Sequence, residues 1–179
     1  LAQALHARGW RVVVLSPPQT LVASRTMLPA GIERVILPDI QEATLTQALQ
    51  SLTTTYGTVG AFIHIHPPTR ASAQYAGLCS DTDKALVQQV FLLAKQLKPM
   101  VQAAAQQQRG CFLTVVRLDG AFGLDQAIEY SAIGGGLPGL TKALNLEWGN
   151  VFCRAIDLSL DMAPDQAAVS IIAELHDPN

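Results

Sequence analysis

The sequence predicts a doubly wound α/β domain built on a parallel sheet. Three observations carry this. Five short, strand-like runs alternate with stretches of helical periodicity from one end of the chain to the other. The runs are apolar almost throughout rather than alternating, the pattern of strands covered on both faces. Proline closes three of the five, at Pro17, Pro38 and Pro67, where a strand must stop donating to its ladder.

Residues 1–8 read as helix and stop at Gly9, a residue suited to a helix end. No capping residue stands before Leu1-Ala2-Gln3, so the chain is expected to be a fragment of something longer, with the usual first strand lying ahead of Leu1. The run at 10–15 contains Val12-Val13-Val14-Leu15 and ends at Pro17-Pro18. Residues 33–37, Glu-Arg-Val-Ile-Leu, form the second run. Leu45, Leu49 and Leu52 give residues 42–56 a helical stripe. Gly57 and Gly60 lead into Ala61-Phe62-Ile63-His64-Ile65-His66, the third run. A long helix over about 82–108 carries Leu86, Val90, Leu93 and Leu97 on one stripe, and Pro99 inside it predicts a kink or two segments. Residues 111–117 and 151–158 are the last two strands, with helices at 137–147 and 164–175.

The composition fits one domain with a substantial core. Of 179 residues, 49% are hydrophobic, which excludes disorder. A net charge of −2 argues against a generic nucleic-acid binder, which would show a basic face. No apolar run approaches the roughly 18 residues of a membrane span, so no membrane partner is expected. Cys79, Cys111 and Cys153 are scattered with no C-x-x-C pair, which favours reduced thiols in a cytoplasmic protein. Cys111 and Cys153 read as small buried hydrophobes. Charged residues are only 15%, against roughly 25% in an average chain. This predicts apolar residues clustered on one outer face, filled by a partner or by self-association.

Several motifs invite chemistry. Gly134-Gly135-Gly136-Leu137-Pro138-Gly139 matches G-x-G-x-x-G by letter. In a dinucleotide fingerprint the first glycine leaves a strand directly. Here 16 residues separate Arg117 from Gly134, and Pro138 removes an amide from the cradle. Gly134, Gly136 and Gly139 are thus weak cofactor candidates beside the plainer reading of a glycine-rich helix start. His64 and His66 share a strand face and are weak metal candidates, because no third ligand lies near them in sequence. The plainer reading is a pair of imidazoles hydrogen-bonded beside the Pro67-Pro68 turn. Asp119 and Asp125 read as loop punctuation rather than paired carboxylates. A tyrosine acid needs a lysine four residues on, on the same helix face. Tyr56, Tyr75 and Tyr130 are followed at that distance by Gly60, Cys79 and Gly134. No G-x-S-x-G exists for a serine nucleophile.

Three long words then suggest a family: Phe112-Leu113-Thr114-Val115-Val116-Arg117-Leu118-Asp119-Gly120-Ala121-Phe122-Gly123, Gly139-Leu140-Thr141-Lys142-Ala143-Leu144-Asn145-Leu146-Glu147-Trp148, and Val151-Phe152-Cys153-Arg154-Ala155-Ile156-Asp157-Leu158. With Ala61–Pro67 and Phe91–Lys95, they resemble the ketoreductase region of bacterial polyunsaturated fatty acid synthases and related iterative polyketide synthases. The resemblance implies a Rossmann-like fold of short-chain dehydrogenase type. It also implies a ketoreductase in two halves, one structural and free of cofactor, the other binding NADPH and carrying the catalysis. This chain resembles the structural half. Aligned through Gly139-Leu140-Thr141-Lys142, the family's tyrosine falls on Tyr130 and its lysine on Gly134. The serine falls near Arg117, and the asparagine or lysine of the long helix near Leu86. The arginine that holds the NADPH 2′-phosphate has no counterpart after Ser16, where Pro17-Pro18 follows. The expectation is a single structural subdomain over 1–179, without catalytic residues or cofactor of its own. NADPH is then held by an adjoining catalytic subdomain of the same polypeptide, and an acyl carrier protein serves the parent synthase. The rival expectation is a divergent short-chain dehydrogenase using Tyr130.

Overall fold

The computed structural model describes residues 1–22, 25–67, 80–124 and 132–177. The elements follow the alternation read from the sequence. In order they are α1 (Ala2–His6), β1 (Val13–Ser16), β2 (Glu33–Ile36), α2 (Glu42–Tyr56), β3 (Ala61–Ile65) and α3 (Asp81–Gln107). Next come β4 (Cys111–Val116), a 3-10 turn (Ala132–Gly135), α4 (Gly136–Glu147), β5 (Phe152–Asp157) and α5 (Pro164–Leu175). Among the described residues, all strand pairs are parallel.

β4 is the centre of the core. Its six residues are all buried, and period 2 sends them alternately to two apolar layers. Phe112 and Val116 meet Leu45 and Leu49 of α2, Val90, Leu93 and Leu97 of α3, and Leu137 and Leu144 of α4. Cys111, Leu113 and Val115 meet Leu5 of α1 and Ile171, Ile172 and Leu175 of α5 on the other face. Thr114 points into the first layer as its polar member. Its hydroxyl lies 2.6 Å from that of Thr141, which donates to the Leu137 carbonyl at 2.9 Å. Thr114 is therefore the donor to Thr141, and the bond fastens α4 to β4. Lys95 and Gln96 of α3 both reach Glu42 of α2, at 2.8 and 2.9 Å.

Four features differ from the sequence expectations. The strands form two sheets, β1–β2 and β3–β4–β5. Between the facing edges of β1 and β3 lies a cavity of about 700 Å³, lined by Leu15, Trp10, Ile63, Leu93 and Leu1 among others. Helix α3 runs unbroken through Pro99. Leu97 and Val101 are buried on either side of the proline, so packing outweighs the roughly 3 kcal/mol that an interior proline costs. Cys153 is only half-buried, because its strand lies beside β4 at the border of the three-stranded sheet. Exposed large apolar side chains are spread over several elements rather than one face: Phe91, Leu146 and Val169 stand on α3, α4 and α5, Ile36 and Ile65 at the ends of β2 and β3, Phe122 and Leu124 in the loop after β4, and Met27 between β1 and β2. Helices α3, α4 and α5 each bury one stripe and leave one large apolar residue outside, which is ordinary for a globular surface.

Candidate functional site

In open α/β sheets, ligands meet the carboxyl ends of the strands. In this molecule that rim is built from the ends of β3, β4 and β5, the start of α3 and the 3-10 turn. Its chemistry falls into three groups.

The first is a histidine pair at the end of β3, His66 buried and His64 half-buried. His64 Nε2 lies 3.4 Å from His66 Nδ1, with ring centroids 5.6 Å apart. Burial pushes His64 down to about 3, and the neighbouring His66 adds to the shift. Burial also lowers His66, opposed by the charge of Asp83. Both imidazoles are thus neutral at pH 7. Asp83 is itself buried and belongs to a capping box at the start of α3. The Ser80 hydroxyl accepts from the Asp83 amide at 3.1 Å, and the Ser80 amide donates to the Asp83 carboxylate at 3.3 Å. The sequence placed the two histidines together but missed Asp83. Ser80-x-x-Asp83 ahead of an apolar stripe was the available signal. Neutral imidazoles suit a metal, yet among the described residues no third His, Cys, Asp or Glu completes a metal-holding group. His66 Nε2 is buried without a hydrogen-bond partner among them.

The second group is the glycine run. Gly134 and Gly135 lie in the 3-10 turn, and Gly136 and Gly139 in α4. The strand before them ends at Val116, so no glycine leaves a strand directly. A Cβ on Gly134 would stand 3.3 Å from His66 Cδ2 and 3.6 Å from its Nε2. Gly136 and Gly139 face open space. Tyr130 and Asp125 lie outside the described residues.

The third group is the loop after β4. The carboxylate of Asp157, at the end of β5, accepts from the amides of Leu118, Gly120 and Phe122 at 2.7, 2.9 and 2.8 Å, and from Asp119 at 3.3 Å. Asp119 caps the same loop by accepting from Ala121 and Gly123, both at 2.8 Å. This clamp holds Phe122 at φ +56 with its ring half-exposed. Asp119 is loop punctuation, as its sequence context suggested; the part of Asp157 came only with the fold. Arg117 donates to the carbonyls of Ser159, Leu160 and Met162 at 3.2 to 3.3 Å and ties this rim to the loop after β5. Leu86 is buried in α3.

A parallel sheet with helices on both faces and a rim of this build is the Rossmann-like fold of the short-chain dehydrogenase type. Solved structures share it. A 3-ketoacyl-(acyl-carrier-protein) reductase from Brucella melitensis, complexed with NADH, superposes with a TM-score of 0.69 at 18% identity, covering 93% of this chain and 71% of that one. The actinorhodin polyketide ketoreductase, as a variant with NADPH, gives 0.63 at 17% identity, covering 99% and 72%. In sequence, the chain is 28% identical over 152 residues to a polyunsaturated fatty acid synthase polypeptide of Thraustochytrium sp.. The match takes in 82% of this chain and 5% of that protein, so the chain spans about a twentieth of its curated relative. No protein-family model matches. The chain is thus similar to a polyunsaturated fatty acid synthase in sequence and to short-chain dehydrogenase-type ketoreductases in fold, as its residues implied. Among the described residues, no helix is long and apolar enough to cross a membrane.

Proposed function

We propose that the chain is a non-catalytic structural subdomain that supports β-ketoacyl reduction in a polyunsaturated fatty acid or polyketide synthase. The contact between Gly134 and His66 carries this reading. A short-chain dehydrogenase lysine would have to project from position 134. The space beside its Cβ is taken by a buried, neutral imidazole, with 3.3 Å from that Cβ to His66 Cδ2. Without a cation there, a tyrosine at 130 lacks the group that lowers its pKa for proton transfer. Arg117, at the serine position, spends its guanidinium on three carbonyls of the neighbouring loop. Gly134, Gly136 and Gly139 then serve the entry to α4 rather than a pyrophosphate.

On this reading the partner is the catalytic ketoreductase subdomain of the same polypeptide. That subdomain holds NADPH, and an acyl carrier protein delivers the β-ketoacyl group to it. The half-exposed Phe122, on its clamped loop, offers a firm apolar contact for such a neighbour. Self-association of the isolated chain would use the same apolar groups. The setting is the cytoplasm, with neither nucleic acid nor membrane as partner.

The test is Tyr130→Phe in the parent synthase. Ketoreduction is expected to stay within a few-fold of wild type. A loss of about a hundredfold or more, the low end of acid–base contributions, would make Tyr130 a catalytic acid and the chain a divergent dehydrogenase. Titration of the isolated chain with NADPH sharpens the result. A dissociation constant near 10 μM, about −7 kcal/mol, would overturn the cofactor-free reading.

A further inference from the structure

In the loop after β4, six consecutive backbone amides, from Leu118 to Gly123, all donate to carboxylates. Leu118, Asp119, Gly120 and Phe122 donate to Asp157, and Ala121 and Gly123 donate to Asp119 Oδ1. Amides in a loop ordinarily find carbonyls or water instead. The backbone angles explain how they converge. Gly120, Phe122 and Gly123 have φ of +81, +56 and +84, with Ala121 of the opposite hand among them. Residues of opposite hand in succession turn neighbouring amides to one side, which is the geometry of an anion-binding nest.

The group that fills this nest comes from another strand. Asp157 ends β5 and pairs in register with Val116, the last residue of β4. Its Oδ1 accepts from Leu118 at 2.7 Å, and its Oδ2 accepts from Asp119, Gly120 and Phe122 at 3.3, 2.9 and 2.8 Å. Both oxygens are engaged, as a carboxylate allows and a neutral amide or hydroxyl does not. Arg117, next to the nest in sequence, points its guanidinium at the carbonyls of Ser159, Leu160 and Met162. Among the described residues, the donors to Asp157 are thus all backbone amides. Phenylalanine takes positive φ only where its surroundings demand it, and the bond from its amide to Asp157 supplies that demand.

We propose that residues 118–123 form an oxyanion cradle and that Asp157 is its resident ligand. The ligand class is a small carboxylate, held through both oxygens by backbone alone. Because this ligand is tethered to β5, its effective concentration exceeds that of any free anion, and the cradle is closed in the native chain. Removing the side chain at 157 opens it to a free carboxylate. The carboxylate, rather than the side chains of the loop, then sets the loop's shape, Phe122 included. This inference does not depend on whether the rim is catalytic.

Chemical rescue of the 179-residue chain tests it. Asp157→Gly empties the cradle and should lower the folding equilibrium constant about tenfold or more, because hydrogen bonds to a charged acceptor are lost. Sodium formate brings two carboxylate oxygens with the least bulk and should restore folding saturably. At about 100 mM, against a dissociation constant near about 10 mM, it should raise the constant about tenfold. Sodium chloride at equal ionic strength should not, and the native chain should answer formate and chloride alike. In the Asp157→Gly chain, formate should also move the amide resonances of Leu118, Gly120 and Phe122, with the same dissociation constant. Asp157→Asn keeps the space filled, so it should lose stability and gain nothing from formate. A variant that folds only with formate is the strongest form of the expected result. Native stability in either variant would overturn the proposal. So would an Asp157→Gly chain that stays unfolded in formate, a formate response no larger than that to chloride, or one shared by the native chain or by Asp157→Asn. A rescue that leaves the three resonances in place would place the anion elsewhere and overturn it too.

Discussion

Strands β1 and β4 are built from similar sequence and end in different surroundings. Val13-Val14-Leu15 is as apolar as Leu113-Thr114-Val115-Val116, yet the first three are half-buried and the last four are buried completely. The difference lies in neighbours. β4 has a strand on each edge and helices on each face, whereas β1 has one strand beside it and a cavity on its other edge. Composition makes a strand eligible for the core, but the elements on its flanks decide how much of it water leaves.

The largest expected effect tests the well-covered side. Phe112 is fully buried between Phe62 and Trp148, with centroids at 5.1 and 5.4 Å. Phe112→Ala should cost about 3–5 kcal/mol in urea denaturation. A like-for-like comparison follows from Val115→Ala and Val14→Ala. The first should cost about 2 kcal/mol and the second about half of that. Equal costs would mean that the two sheets are packed alike and would break the comparison.

Acid should weaken the end of β3 next. His64 is neutral in the fold, with its pKa near 3, but protonates near 6.5 once unfolded. Its folded pKa is depressed, so the unfolded state binds the proton more tightly between those values. The contribution of a neutral His64 is complete above about pH 6.5 and is lost as the pH falls towards 3. Stability should drop by up to about 1.4 kcal/mol per pH unit in that window. His64→Gln should flatten the dependence, read as the difference between the two proteins' urea midpoints from about pH 7.5 to about pH 4.5. An unchanged slope would show that the pair is not held neutral.

Two smaller effects probe how β4 is seated. A Cβ on Gly110 would collide with the Val101 carbonyl oxygen, where α3 turns into β4. Gly110→Ala should cost about 1–3 kcal/mol because backbone must move. The same change at Gly60, which opens β3 with free space around it, should cost under about 1 kcal/mol by thermal denaturation. Last, Thr114→Val removes the donor to Thr141 and should cost about 1 kcal/mol, with part of that restored by adding Thr141→Val, since the double variant leaves fewer buried groups unmatched.

The sequence announced the elements well because periodicity and punctuation are local. Residues 42–56 and 164–175 match their helices end to end, since Leu45 and Leu49 set one stripe and Pro164 sets the other helix's first turn. What escaped was the meeting of distant parts. The charge of Asp83 acts on His66 from a helix that starts fifteen residues after it, and Asp157 closes a loop more than thirty residues earlier in the chain. Neither carboxylate advertises its partner in the local pattern. Where the sheet divides was not legible in the strands themselves, because a strand's composition does not tell how many of its edges are filled.

The chain has two tryptophans, and they sit in opposite layers. Trp148 is buried edge-on against Phe112, while Trp10 lines the cavity between the sheets and meets His176 edge-on at 6.2 Å. The molecule therefore carries its own pair of optical reporters. Emission from Trp148 follows the layer of α2, α3 and α4, and emission from Trp10 follows the cavity between the sheets. Trp148→Phe isolates the second signal. The position of its emission maximum then reports in a cuvette, without any added label, how much water that cavity holds.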